Sequence, residues 1–144
     1  NMLMETVTMK YQSEIATKNL GFQFEPAVDL PMIMGDEELL TQAFSELMIN
    51  AVRFTPEKGQ IKVQIERDER TARVSISDTG IGMSSSEQAR VFERFYRADE
   101  ARTTRGFGLG LAIAGRIIAL HRGSISVSSS AGEGSTFTVS LPIG

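Results

Sequence analysis

Cysteine is missing from all 144 residues, which excludes disulfides and thiolate metal sites. The single histidine, His121, excludes a multi-histidine metal centre. No stretch approaches the ~18 consecutive apolar residues that a membrane span needs, and the start carries no signal-peptide pattern. The chain therefore reads as a soluble, cytoplasmic domain. Net positive charge is lacking as well. At a formal charge of −3, nothing general draws the chain toward nucleic acid or an anionic membrane, so no nucleic-acid partner is expected. Any phosphate-bearing ligand must then be held by a local arrangement of groups. Internal repeats and linkers are absent too, and residues 1–144 read as one domain, long enough to bury a sizeable core. The composition that remains, 41% hydrophobic and 23% charged residues, is ordinary for a globular protein.

Leu3, Val7, Tyr11 and Ile15 recur every fourth residue and predict one helix, stopped at Asn19 and Gly21. Phe22 and Phe24 alternate in a short strand, and Pro26 and Pro31 break the next segment. Asp36 is a good N-cap for a helix from Glu37 to about Phe54, with Leu39, Leu40, Ala43, Phe44, Leu47 and Ala51 as its buried stripe. After a turn at Thr55–Gly59 come two alternating strands, Ile61-Val63-Ile65 and Val74-Ile76, paired as a hairpin. A short helix is expected around Ser86–Phe92, a strong one over Leu109–Leu120, and two closing strands around Ile125–Val127 and Phe137–Leu141. The predicted class is α+β: a two-layer α/β sandwich, with helices on one face of a mixed, mostly antiparallel sheet.

Three groups of residues carry chemistry. Glu46, Asn50 and Arg53, spaced by four and then three, share one helix face. The asparagine offers a neutral hard oxygen suited to magnesium, and the arginine suits phosphate oxygens. Taken alone, the triplet is better read as a solvated helix face. Asp78-Thr79-Gly80-Ile81-Gly82-Met83 lies where a strand ends. A carboxylate there can accept from an exocyclic amine such as adenine's, the glycines let a flat ring approach, and Ile81 and Met83 offer it apolar contact. The alternative is a plain Asp-Gly turn. Gly106-Phe107-Gly108-Leu109-Gly110-Leu111 opens the second long helix, where free amides and the positive dipole end favour an anion. A flexible loop before a helix is the other reading. Between the last two, Phe92, Phe95 and Tyr96 precede residues 97–105, whose only apolar members are Ala98 and Ala101. That poverty of anchors predicts a lid, mobile without ligand.

In order, the chain reads Glu-Leu-Met-Ile-Asn-Ala-Val-Arg-Phe-Thr (46–55), Asp-Thr-Gly-Ile-Gly, Phe-Glu-Arg-Phe-Tyr-Arg, Gly-Phe-Gly-Leu-Gly-Leu and Gly-Glu-Gly-Ser-Thr-Phe. This resembles the N box, first glycine box, F box, second glycine box and final glycine motif of sensor histidine kinases in the GHKL ATPase superfamily. Each box is modest, but all five in order cover nearly the whole chain. The resemblance implies the GHKL ATP-binding fold and a Mg-ATP ligand. It makes Asn50 the magnesium ligand and Arg53 a phosphate contact, with Phe54 beside them in the N box. It makes Asp78 the adenine acceptor, with Gly80, Ile81, Gly82 and Met83 lining the base. Gly106, Phe107, Gly108, Leu109, Gly110 and Leu111 then supply the phosphate-facing segment. Arg97 orders the lid, and Thr136 supports Asp78.

The resemblance further implies transfer of the γ-phosphate to a histidine on a separate dimerisation domain of the same protein. The parent would be a homodimeric, in many cases membrane-bound, two-component sensor acting on a response regulator. Two features depart from the kinase pattern. Glu46 stands where kinases usually have asparagine, and a glutamate there is similar to the gyrase-type and chaperone members, which activate water. No histidine is followed by an acidic residue, since His121 precedes Arg122-Gly123, so His121 reads as a helix-end residue and not a phosphoacceptor. The rival functions are a GHKL-type ATPase or serine kinase, and a non-catalytic nucleotide-binding module.

Overall fold

Alternating side chains and one long amphipathic helix account for most of the architecture. The computed structural model describes residues 1–31, 33–80, 111–130 and 134–143. The strands are β1 (Gly21–Glu25), β2 (Gln60–Arg67), β3 (Thr71–Asp78), β4 (Ser124–Ser130) and β5 (Gly134–Pro142). They form one sheet in the order β1-β2-β3-β5-β4. β1 runs parallel to β2 and every other pair is antiparallel. The helices are α1 (Met2–Lys10), α2 (Gln12–Thr17), α3 (Glu37–Phe54) and α4 (Leu111–Leu120).

The strand period of two puts Ile61, Val63, Ile65, Val74, Ile76, Phe137, Val139 and Leu141 on one buried face. Against it pack Met4 and Val7 of α1, Phe44, Leu47, Met48 and Ala51 of α3, and Leu111, Ala114 and Ile118 of α4. Each of the larger side chains contributes roughly 1.5–3 kcal/mol on burial. The alternate residues, Ser75, Ser77, Thr136, Thr138 and Ser140, are only partly buried, as an antiparallel sheet with one watered face requires. The two-layer sandwich expected from the sequence is the observed one.

Register in the β2–β3 hairpin is pinned at its turn. Asp68 Oδ1 accepts from the N–H of Arg70 at 2.9 Å and of Thr71 at 2.8 Å, and Arg73 reaches Oδ2 at 3.2 Å. These bonds, the Arg70 N–H first, hold its carboxyl down at about 2 against an ordinary 3.8. The result is Val63 opposite Ile76 and Ile61 opposite Asp78, which delivers Asp78 to the end of a central strand.

The cap expected at Asp36 is present: its carboxylate accepts from the Leu39 N–H at 3.0 Å, and α3 runs to Phe54. One expectation is corrected. The single N-terminal helix is two, α1 and α2, because Tyr11 at φ −107° and ψ 7° leaves helical geometry and its N–H bonds three residues back, to Thr8. The expected helix at 86–92 and the lid at 97–105 lie outside the described residues. Among the described residues no helix is long and apolar enough to cross a membrane.

Candidate functional site

Three segments that are distant in sequence meet at Asp78. It ends β3, is 9% exposed, and receives the Gly80 N–H on Oδ1 at 2.8 Å. The Ser135 N–H, from the start of β5, donates to the same carboxylate. Burial pushes the Asp78 carboxyl up from its ordinary value, and these two N–H groups pull against it. Gly80 is required here: a Cβ would run into the Phe54 carbonyl at the end of α3 and into Asp78 Oδ1. Gly134 has φ +95°, and its missing Cβ leaves room for the Asp78 carbonyl. The end of α3, the end of β3 and the start of β5 are thus held at backbone contact.

Sequence reasoning assigned the support of Asp78 to Thr136, and the sheet register corrects this. Thr136 pairs with Ser77, so it lies on the opposite face of the sheet, where its hydroxyl meets that of Ser77 at 3.0 Å. Ser135 is the residue opposite Asp78. Strand parity alone could have found it, once the pairing of β3 with β5 was known.

Along α3, Glu46 is half-buried, Asn50 is 3% exposed and Arg53 is exposed. Asn50 is therefore not on the solvated face that a lone triplet suggested. Its Oδ1 is buried and has no hydrogen-bond partner among the described residues. Leaving a buried amide oxygen unpaired costs about 1–3 kcal/mol, so the atom calls for a partner that the described residues do not supply. Glu46 and Arg53 are within electrostatic reach of Tyr11 at the α1–α2 break. That phenol is pushed up, first by burial and then by the Glu14 and Glu46 carboxylates, with Ser45 and Arg53 opposing. Phe54 is buried and contributes its carbonyl to the Gly80 contact. Leu111 is fully buried in the core, so it can offer a ligand its backbone alone. A hollow of about 460 Å³ opens beside Asp78, lined also by Phe22, Gln60, Ile61 and Thr79, but it does not reach Asn50. The remaining expected site residues, Ile81, Gly82, Met83, Arg97, Gly106, Phe107, Gly108, Leu109 and Gly110, lie outside the described residues, as do Phe92 and Phe95 of the F box.

The model of the histidine kinase-, DNA gyrase B- and HSP90-like ATPase family matches residues 35–144. The chain belongs to this family. Within it, the phosphate regulon sensor protein PhoR of Pseudomonas aeruginosa is 46% identical over 140 residues, covering 94% of this chain and 31% of PhoR. The catalytic domain of histidine kinase ThkA superposes at a TM-score of 0.86 with 29% identity, covering 99% of this chain and 92% of that one. ThkA in complex with response regulator TrrA superposes at 0.84 with 26% identity, over 100% of this chain and 40% of that one. The chain spans about a third of the length of the curated relatives it matches.

His121 shows what the end of α4 does in this ATPase-family fold. Its Nε2 accepts the Asp36 N–H at 2.9 Å, so Nδ1 carries the proton toward the Ile117 carbonyl at 2.8 Å. Nε2 ties the end of α4 to the cap of α3, while Nδ1 fixes the ring against α4's own last turn. His121→Ala should therefore lower stability by about 1 kcal/mol in a denaturant melt. Any phosphoryl transfer the domain performs should keep its wild-type rate, which a phosphoacceptor role for His121 would not allow.

Proposed function

We propose that the domain binds Mg-ATP and transfers its γ-phosphate to a histidine on a separate dimerisation domain of the same protein. The observation that carries this is Asn50 Oδ1, a buried oxygen without a partner among the described residues, one turn from Glu46 on the same helix. A neutral hard oxygen suits magnesium, which keeps most of its remaining ligands from phosphates and water and would supply charge neutralisation on the triphosphate. Asn50 would hold the ion together with the nucleotide's phosphates. The Asp78 carboxylate accepts from the adenine amine. Arg53, exposed at the end of α3, reaches the phosphates. Glu46 accepts the N–H of the incoming imidazole, leaving its other nitrogen free to attack. The P–N bond forms as the bond to the β-phosphate oxygen breaks, and ADP leaves. Positioning and charge neutralisation do most of the work.

The whole protein is read as a homodimeric two-component sensor, with a response regulator as the next acceptor. Titrating the domain with a fluorescent ATP analogue, with and without magnesium, should give saturable, magnesium-enhanced binding. Labelled ATP should then label a separately expressed histidine domain. Binding that magnesium does not strengthen would remove Asn50 from its role, and no transfer would leave a nucleotide-binding module. A second reading, water activation by Glu46, draws on the gyrase B and HSP90 branches of the family. Release of free phosphate, measured in the same assay, separates it from kinase chemistry.

A further inference from the structure

The last turn of α3 carries Arg53, yet it ends in a way that leaves carbonyls without helical partners. Pro56 comes after Thr55, so Thr55 is held extended at φ −94° and ψ 119°. The N–H that would have closed onto the Val52 carbonyl belongs to residue 56, and proline has none. No glycine cap replaces it. Thr55 serves the Ala51 carbonyl through both its N–H, at 3.1 Å, and its hydroxyl, at 2.6 Å. The next two carbonyls are served from 34 and 35 residues away: Lys18 Nζ donates to Val52 O at 2.6 Å and to Arg53 O at 3.4 Å.

We infer that Lys18 is a positioning residue for triphosphate recognition, acting through the terminal turn of α3 on Arg53; the inference rests on the proposed ATP binding. The ammonium sits at the negative end of the helix dipole, where a cation is favoured. Its stem is half-buried and its own backbone is fixed: Asn19 at φ +56° turns the chain, and the Lys18 carbonyl accepts the Lys58 N–H at 3.3 Å. The adjoining Gly21 N–H bonds to Gly59 O at 2.9 Å, so the α2–β1 corner holds the end of the 55–59 turn. One residue on, the Phe54 carbonyl abuts Gly80 of the adenine-facing loop. The terminal turn is thereby held by a short charge-assisted bond to Val52, with a longer contact to the Arg53 carbonyl itself, while the Arg53 side chain is exposed among the described residues.

The test separates positioning from simple capping by the nucleotide that is measured. ATP and ADP are titrated by calorimetry with magnesium, well below the melting temperature, into wild type, Lys18→Met, Lys18→Arg and, as a surface-charge control, Lys10→Met. Lys18→Met keeps the stem and should weaken ATP about fivefold to tenfold while weakening ADP much less, because the contact to the terminal phosphate is what is misplaced. Lys18→Arg, which can donate to both carbonyls, should restore the ATP-to-ADP ratio, and Lys10→Met should leave it unchanged. If Lys18→Met fails to fold, Lys18→Gln, a neutral donor, should lower the same ratio to a smaller extent. A lowered melting temperature with an unaltered ATP-to-ADP ratio would reduce Lys18 to a helix cap and overturn the inference alone. A wild type that binds neither nucleotide would overturn the ATP reading and this inference with it.

Discussion

Replacing Glu46 with glutamine is expected to slow phosphoryl transfer by roughly 10²–10⁴, the usual worth of a positioned general base. Glutamine keeps the size of the side chain in its half-buried position on α3, so packing and nucleotide affinity should hold. What changes is the acceptor. A carboxylate one turn before Asn50 can take the imidazole N–H in a charge-assisted bond, and an amide takes it more weakly. The assay is transfer from labelled ATP to the separately supplied histidine domain, with phosphate release followed in parallel. Loss of transfer with little phosphate release in either protein supports an orienting role. Loss of phosphate release would instead place Glu46 with the water-activating members of the family. Transfer and release both at wild-type rates would leave it a surface glutamate.

Asp78→Asn should separate function from stability. The amide keeps the shape, but on the proposed reading it turns one acceptor into a donor facing the adenine amine, which should cost ~1–3 kcal/mol of nucleotide affinity. In affinity that is about 5- to 150-fold, readable by titration with a fluorescent ATP analogue. The nucleotide-free domain should respond in the other sense. Burial raises the Asp78 carboxyl above its ordinary 3.8, so the native state favours the protonated form. The stability this confers is full below 3.8 and is lost as pH rises through the folded value. At neutral pH the wild type carries the cost of a buried charge and the asparagine variant does not. The melting temperature of the variant minus that of the wild type should therefore grow as pH rises through this window and then level off. A difference that shrinks instead would mean that Asp78 is stabilised as a carboxylate, against the desolvation argument.

The two glycines at this carboxylate make the same trade visible in the backbone. Gly80 and Gly134 forgo side chains so that α3, β3 and β5 can meet at Asp78, and an alanine at either would collide with backbone atoms. Glycine in or beside regular structure is entropically costly, so both positions favour the site at the expense of local stability.

Much of this protein is written locally. The alternation of Ile61, Val63 and Ile65 against Val74 and Ile76 determined the hairpin and its buried face, because the strand period of two is a property of the backbone itself. Asp36 and the stripe behind it likewise determined where α3 begins, since a cap bond spans only three residues. The spacing of Glu46, Asn50 and Arg53, and the order of the motifs, came from sequence alone. Tertiary structure decided what depends on which segments meet. Only the pairing of β3 with β5 shows that Ser135, and not Thr136, stands by Asp78. Only packing buries Asn50 and leaves its oxygen unpaired among the described residues. The His121 bond to Asp36 and the Lys18 bond to Val52 link residues 85 and 34 positions apart. Helix and strand periods carry no record of such contacts, because they arise when whole elements dock and not when a segment chooses its dihedrals.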